Sequence, residues 1–382
     1  MQAPTDGTPT AGHSGTIYVA IELSQRRWLV TLHSPVKDRL SRHHLVGGDH
    51  AGLLGLIERF REQAESRLGC RPAVVSCYEA GYDGFWLHRR LLAAGVENLV
   101  FDPASIAVEQ RARRAKTDRI DGEVLLRTLM AHRRGEPRVV RIVRVPGEAE
   151  EDTRRSSRER GRLIKEQTAH SNRLKGLLRL QGMAVGNPHR PDWLSWLKGQ
   201  RDWRGDAVRP HLMAELEREH GRLMLVRDQL VALAAAATTQ ALAAPAHVAE
   251  RKALLRRLKA VGPVLADTLV DEVFHKDFGN RREVAAYFGL APSPWCSGSL
   301  DREQGISKSG NPRARHQAIE LAWLWLRHQG DSALSQWFRA RTAGASKRIR
   351  RITIVALARK LMVALWHYLT TGLVPAGAVV KA

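Results

Sequence analysis

The sequence predicts an α/β domain followed by a mainly all-α remainder. Three observations carry that expectation. Short β-rich runs alternate with helical spacing only up to about residue 146, long amphipathic segments take over from Gly147, and the positive charge is concentrated beyond residue 100. Strands that first pair as hairpins and then alternate with helices describe a mixed sheet.

Residues 1–15 are rich in Thr, Pro and Gly and read as a disordered tail. Thr16 to Leu23 (TIYVAIEL), Trp28 to His33 and Arg39 to Val46 are β-rich runs separated by polar turns, the pattern of a three-stranded antiparallel meander. Leu53, Leu54, Leu56, Ile57 and Phe60 recur at helical spacing, and Ala73 to Tyr78 reads as a buried strand between Pro72 and Gly81. A helix over Phe85 to Ala94, a strand over Asn98 to Phe101 and a helix from Asp118 through Met130 complete a domain assigned to residues 16–146.

Residues 147–250 read as a helical arm. Arg154 to Gln181 carries Leu163, Ile164, Leu174, Leu177 and Leu178 on one side and a basic remainder on the other. A Trp- and Pro-bearing loop, Asn187 to Pro210, separates it from a second helix over Leu212 to Ala244. The pair reads as an antiparallel coiled-coil hairpin, or as a plain spacer with a solvated charged face. Residues 251–345 form a C-terminal domain, and residues 346–382 a basic helix opened by Ser346 to Arg351 (SKRIRR). Within that domain, Leu258 to Val273 reads as two short helices around Gly262-Pro263. This is either a helix-hairpin-helix whose turn offers backbone N–H groups to a phosphate, or an ordinary core turn.

Composition narrows the function. Lys and Arg total 61 against 39 Asp and Glu over 382 residues, a formal charge of +22, which disfavours an acidic metabolic enzyme and points to nucleic acid or anionic lipid. The surplus is regional: residues 1–100 carry 11 basic and 10 acidic side chains, residues 101–260 carry 33 and 20, and residues 261–382 carry 17 and 9. Arg outnumbers Lys 49 to 12, which suits bidentate phosphate contacts, although a GC-rich gene would also favour Arg. The most apolar stretch, near the C-terminus, is interrupted by Arg359, Lys360 and His367, so no membrane span is expected and nucleic acid outranks lipid. Cys70, Cys77 and Cys296 include no CxxC pair and no even disulfide framework, which suits a reducing, cytoplasmic setting.

Four carboxylates stand out. Glu22 ends the first strand, Glu79 ends the strand Ala73 to Tyr78, and Asp118 and Asp121 lie three apart on one face of a helix start. If the two strands are neighbours, all four converge at the carboxyl ends of the strands, where open α/β sheets place their sites. Like charges that close repel, and bound Mg²⁺ or Mn²⁺ removes the conflict; two such ions can clamp the attacking and leaving oxygens of a phosphodiester. Asp118 and Asp121 also suit the positive end of a helix dipole without any metal.

IYVAIELS, CYEAGYDGFWL and KTDRIDGEVLL resemble the DEDD transposases of insertion sequences. The stretch from Phe278 to Trp323 resembles the C-terminal domain of the same family, with its G-L-x-P, S-G and K-x-G-N-x-x-x-R elements. The resemblance implies a RuvC-like, RNase H-like N-terminal domain in which Glu22, Glu79, Asp118 and Asp121 bind the metal, with Glu22 where Asp is usual. It also implies a serine nucleophile that joins DNA covalently, an element-encoded structured guide RNA, and a homodimer or homotetramer that synapses two DNA partners. Ser293, Ser297 and Ser299 compete for the nucleophile, and Ser297 matches the S-G element. Lys308, Arg313 and Arg315 follow in a Gly- and Pro-bearing loop where cations suit a scissile phosphate. Two alternatives remain: a RuvC-like hydrolytic nuclease with a structural Ser297, and a catalytically inactive nucleic-acid-binding relative, to which the Glu22 substitution points.

Overall fold

A computed structural model of the chain describes residues 15–106, 118–242, 246–297 and 300–381. Two compact units divide at Pro146 and Gly147.

In the first unit β1 (Thr16–Glu22), β2 (Arg27–Ser34), β3 (Lys37–Val46), β4 (Ala73–Glu79) and β5 (Glu97–Phe101) form one sheet in the order β3-β2-β1-β4-β5. The first three strands pair antiparallel, as the hairpin pattern predicts, whereas β1, β4 and β5 pair parallel. Parallel neighbours need crossover connections. These are α1 (His50–Leu68) between β3 and β4, and α2 (Trp86–Ala93) between β4 and β5. The Asp49 carboxylate opens α1 by accepting the Gly52 N–H at 2.8 Å, and Gly69 closes it with φ 71°.

Alternation along β1 divides the core. Ile17, Val19 and Ile21 pack with Val74 and Tyr78 against Leu53, Leu56, Leu87 and Leu91 of α1 and α2. Tyr18 and Ala20 point the other way and pack with Val75 and Cys77 against Leu125, Leu126 and Leu129 of α3 (Asp118–Arg133). A sheet covered on both faces needs apolar residues at successive positions, which is why TIYVAI and AVVSCY read as continuous runs.

The second unit opens with α4 (Glu148–Arg179) and α6 (Pro210–Leu242), joined by a loop containing α5 (Trp193–Lys198). Leu174 and Leu178 of α4 meet Leu216 and Leu223 of α6 around Trp193 and Leu197. A hydrogen bond between His170 Nδ1 and Glu219 at 2.8 Å and an ion pair from Arg173 to Glu215 at 2.6 Å cross between the helices. There follow α7 (Ala246–Arg257), α8 (Pro263–Leu269), one wide π turn over Val270–Phe274, and α9 (Arg281–Tyr287). The hairpin β6 (Pro292–Ser297) and β7 (Leu300–Ile306) precedes α10 (Pro312–His328), α11 (Ala333–Thr342) and α12 (Lys347–Thr371).

Two details depart from the sequence reading. Within 258–273 only one regular helix forms: Leu258 to Gly262 is a non-helical link, Leu258 bridges Val380, and the Lys259 N–H donates to Val379 O at 3.1 Å. In addition, α12 is long and apolar enough to cross a membrane by length and composition. Its Ile354, Leu357, Ala358, Leu361 and Leu365 are buried in the core of this unit with Trp325 of α10 and Phe338 of α11. Lys360 takes the outer side, with its ammonium 4.9 Å from the centre of the Trp337 ring.

Candidate active site

Register brings the strand-end acids together. β1 and β4 pair parallel from Thr16 and Ala73 up to Ile21 and Tyr78, so one step further Glu22 comes level with Glu79 on adjacent strands, about 4.8 Å apart in backbone. Both lie on the α3 face, because Glu22 continues the Tyr18 and Ala20 side of β1 and Glu79 the Val75 and Cys77 side of β4.

The start of α3 reaches the same end of the sheet. Cys77 Sγ lies 3.8 Å from the carbonyl of Leu125, and Asp121 is one helical turn before Leu125 on that face. Gly122 makes the approach close: a Cβ there would stand 2.7 Å from Thr31 Oγ1 and 3.4 Å from a Leu29 methyl, and Leu29 is the residue opposite Glu22. An Arg42–Glu123 ion pair also ties α3 to β3.

Glu79 is exposed, while Glu22 and Asp121 are half-buried. Burial pushes the Cys77 thiol well up, and the Glu79 charge two residues along adds to that shift. Asp118 begins α3, but its side chain lies outside the described residues. Among the described residues no three His, Cys, Asp or Glu side chains group closely enough to hold an ion. The carboxylate oxygens available at this end are hard donors of the kind Mg²⁺ and Mn²⁺ take.

The serine region belongs to the second unit. Ser297 ends β6 and pairs with Leu300 across the hairpin, while Ser293 is half-buried where the register shifts between Pro292 and Pro294. The Ser297 side chain and the whole of Ser299 lie outside the described residues.

The motif Lys308 to Arg315 is explained locally by packing. A Cβ on Gly310 would fall 2.5 Å from Tyr287 O and 2.6 Å from Gly289 N, so only glycine lets this loop lie against the end of α9. Asn311 caps α10, its Oδ1 accepting the N–H groups of Arg313 at 3.0 Å and Ala314 at 3.1 Å. The Arg315 guanidinium donates to the carbonyls of Phe288 at 3.3 Å and Lys308 at 3.1 Å. Arg313 donates to Ser157 O and lies 3.7 Å from a Glu272 oxygen. Its guanidinium rests on α4 where Gly161 leaves room, since a Cβ there would be 2.8 Å from Nη1. Of the three expected phosphate-binding cations, Lys308 is the exposed one, with φ 57°.

Sequence reasoning missed the hub around Glu272, which is 1% exposed. Arg158 of α4 grips its carboxylate at 2.8 and 3.0 Å, and Asn311 Nδ2 donates to it at 3.2 Å. Burial alone would push this carboxyl up, but Arg158, Asn311 and Arg313 outweigh it and hold it below the usual range. The neighbouring Arg154 donates to Asp271 O at 3.0 Å and to His275 Nε2 at 2.8 Å. Asp271 turns to Lys252 of α7 at 2.9 Å. Helical periodicity marks Arg154 and Arg158 only as part of a basic face.

Residues 252–356 match the model of the Transposase IS116/IS110/IS902 family. The chain is 47% identical over 376 residues to "Putative transposase y4rJ" of Sinorhizobium fredii, covering 96% of this chain and 95% of that one. It is 28% identical over 286 residues to "Putative transposase y4qE" of the same organism, covering 72% and 67%. With "Probable family 20 transposase" of Pseudomonas aeruginosa it shares 28% identity over 237 residues, covering 60% and 67%. These likenesses define the class: the chain is a transposase, an enzyme acting on DNA. More particularly, it belongs to the IS116/IS110/IS902 family of insertion-sequence transposases.

Proposed function

We propose that this transposase cuts and rejoins DNA through a RuvC-like carboxylate site and a serine nucleophile. Glu22, Glu79, Asp118 and Asp121 would hold Mg²⁺ or Mn²⁺, whose bound charge would stabilise the anionic oxygens of a phosphodiester under attack. The observation that carries the reading is the parallel register from Ile21 and Tyr78 onward, which brings Glu22 level with Glu79 on the face that Asp121 of α3 also faces.

Ser297 is the assigned nucleophile. Its Oγ forms a bond to phosphorus while the bond to one strand's oxygen breaks. The Oγ proton leaves to a neighbouring base, and the departing strand oxygen takes one up. Attack of a strand hydroxyl on the serine phosphodiester reverses the step and joins new ends. In the loop after the hairpin Lys308 offers its charge to phosphate, and at the start of α10 Arg313 and Arg315 hold that loop in shape. The positive charge beyond residue 100 supports binding of DNA, and of a structured guide RNA. Synapsis of two partners requires a homodimer or homotetramer, working in the cytoplasm.

The test is a plasmid excision assay with covalent trapping. Ser297→Ala is expected to abolish both excision and a protein–DNA adduct, with Ser293→Ala and Ser299→Ala retaining both. Excision by Ser297→Ala at the wild-type level overturns the nucleophile assignment, and wild-type cleavage with no adduct favours hydrolysis by water.

A further inference from the structure

We propose that the tip of the α4–α6 arm is a contact surface for single-stranded nucleic acid, with the Trp203 indole stacking on an unpaired base and Arg179, Arg201 and Arg204 meeting the phosphates beside it. Trp203 is 72% exposed and Leu180 beside it 79%, large costs for side chains that a folded arm has no need to display.

The backbone around Trp203 is held by a set of local hydrogen bonds. The Trp203 backbone N–H donates to Gln181 O at 3.3 Å, and a Cβ on Gly182 would stand 3.1 Å from Trp203 Cβ, so the residue sits where the chain leaves α4. The Asp202 carboxylate accepts the N–H groups of Arg204 at 2.8 Å and Asp206 at 2.9 Å, and the Asp202 N–H donates to Asp206 O at 2.8 Å. The turn closes through Gly205 at φ 89°. A platform ordered in advance loses little freedom when a ligand arrives.

The Arg204 guanidinium lies over the indole, 4.5 Å from the ring centre, and the side chain as a whole stays 72% exposed. Arg201 is steadied by the carbonyls of Lys198 at 3.2 Å and Gln200 at 3.0 Å. From Arg179 to Arg209 six cations stand against three carboxylates. Asp192 is committed to Arg190 at 2.5 Å, and Asp202 to backbone N–H groups. Among the described residues no carboxylate forms an ion pair with Arg179, Arg201 or Arg204.

An exposed indole beside Arg204, in a segment whose sequence carries six cations against three carboxylates, matches a base flanked by phosphates. A protein partner would ask for a larger apolar patch than Trp203 and Leu180 offer. A duplex hides the faces of its bases, so the ligand is a single strand. The inference does not rest on the carboxylate site.

The test measures binding by the full chain in EDTA, where no metal-dependent cleavage occurs. The probes are a fluorescent oligothymidylate, an oligouridylate and a hairpin duplex. Trp203→Ala is expected to weaken the single strands about 10-fold and leave the duplex unchanged, with Trp203→Phe retaining most of the affinity. A loss on one single strand only sustains the surface and identifies its ligand as DNA or RNA. Wild-type single-strand binding by Trp203→Ala, an equal loss on the duplex, or an arm that self-associates through Trp203 instead overturns the proposal.

Discussion

The two units use carboxylates in opposite settings. In the first, Glu22 and Glu79 come side by side because two parallel inner strands end together, at the carboxyl end of the sheet. In the second, Glu272 is enclosed by Arg158, Arg313 and Asn311 from two other helices. A buried carboxylate persists only where its charge is answered, so Glu272 is bound up in holding α4, the π turn and α10 together. Glu79 at the strand end is exposed and Glu22 half-buried, a setting with more access to solvent than the one around Glu272.

The largest effects should separate the two settings. Glu79→Gln or Asp121→Asn is expected to lower plasmid excision by about three orders of magnitude, with the melting temperature moved by less than about 2 °C. A large fall in melting temperature would make these acids structural and erase the distinction.

Glu272→Gln should do the reverse, since the amide keeps the shape but leaves Arg158 and Arg313 without a counter-charge. A loss of about 3 kcal/mol is expected, read as a melting temperature lower by roughly 6–12 °C. Its pH dependence sharpens the point. Glu272 is held below its ordinary value of 4.5, so its contribution is complete above that pH and fades as the pH falls through the lower folded value. The stability gap between wild type and Glu272→Gln, followed by urea unfolding, should be flat from about pH 7 to 5 and shrink below it. A gap that widens on acidification would reverse the assignment.

The smallest effects concern the two glycines that seat a helix in each unit. Gly122→Ala drives a methyl against Thr31 and Leu29, packed side chains with little room to move. Gly161→Ala meets only the far end of Arg313. Allowing for the better helix propensity of alanine, Gly122→Ala should cost about 1 kcal/mol and Gly161→Ala roughly nothing, both read by thermal unfolding.

The sheet was legible because each strand writes its burial in its own residues: TIYVAI and AVVSCY are apolar at successive positions only because helices cover both faces. The long arm helices were legible for the same local reason, and Glu22, Glu79 and Asp121 were visible as acids at element ends. The β6–β7 hairpin was not, since Pro292 and Pro294 suppress the usual strand pattern and are tolerated at a short edge. The Glu272 hub was hidden for another reason. Its partners lie 114 positions away at Arg158 and 39 away at Asn311, and no periodicity reports a contact of that range. Arg313 shows the cost: read alone it is a cation in a loop, yet its guanidinium is turned inward by Ser157 and Glu272.

The π turn over Val270–Phe274 carries one residue more than a regular helix would need, and that widening lets two successive acids serve different neighbours, Asp271 toward Lys252 and Glu272 toward Arg158. When relatives are aligned, a one-codon gap at this place would look like harmless length variation. Physically it would convert the wide turn back into a regular one, leaving the flanking segments roughly in place but taking one of the two acids off its partner, Lys252 or Arg158.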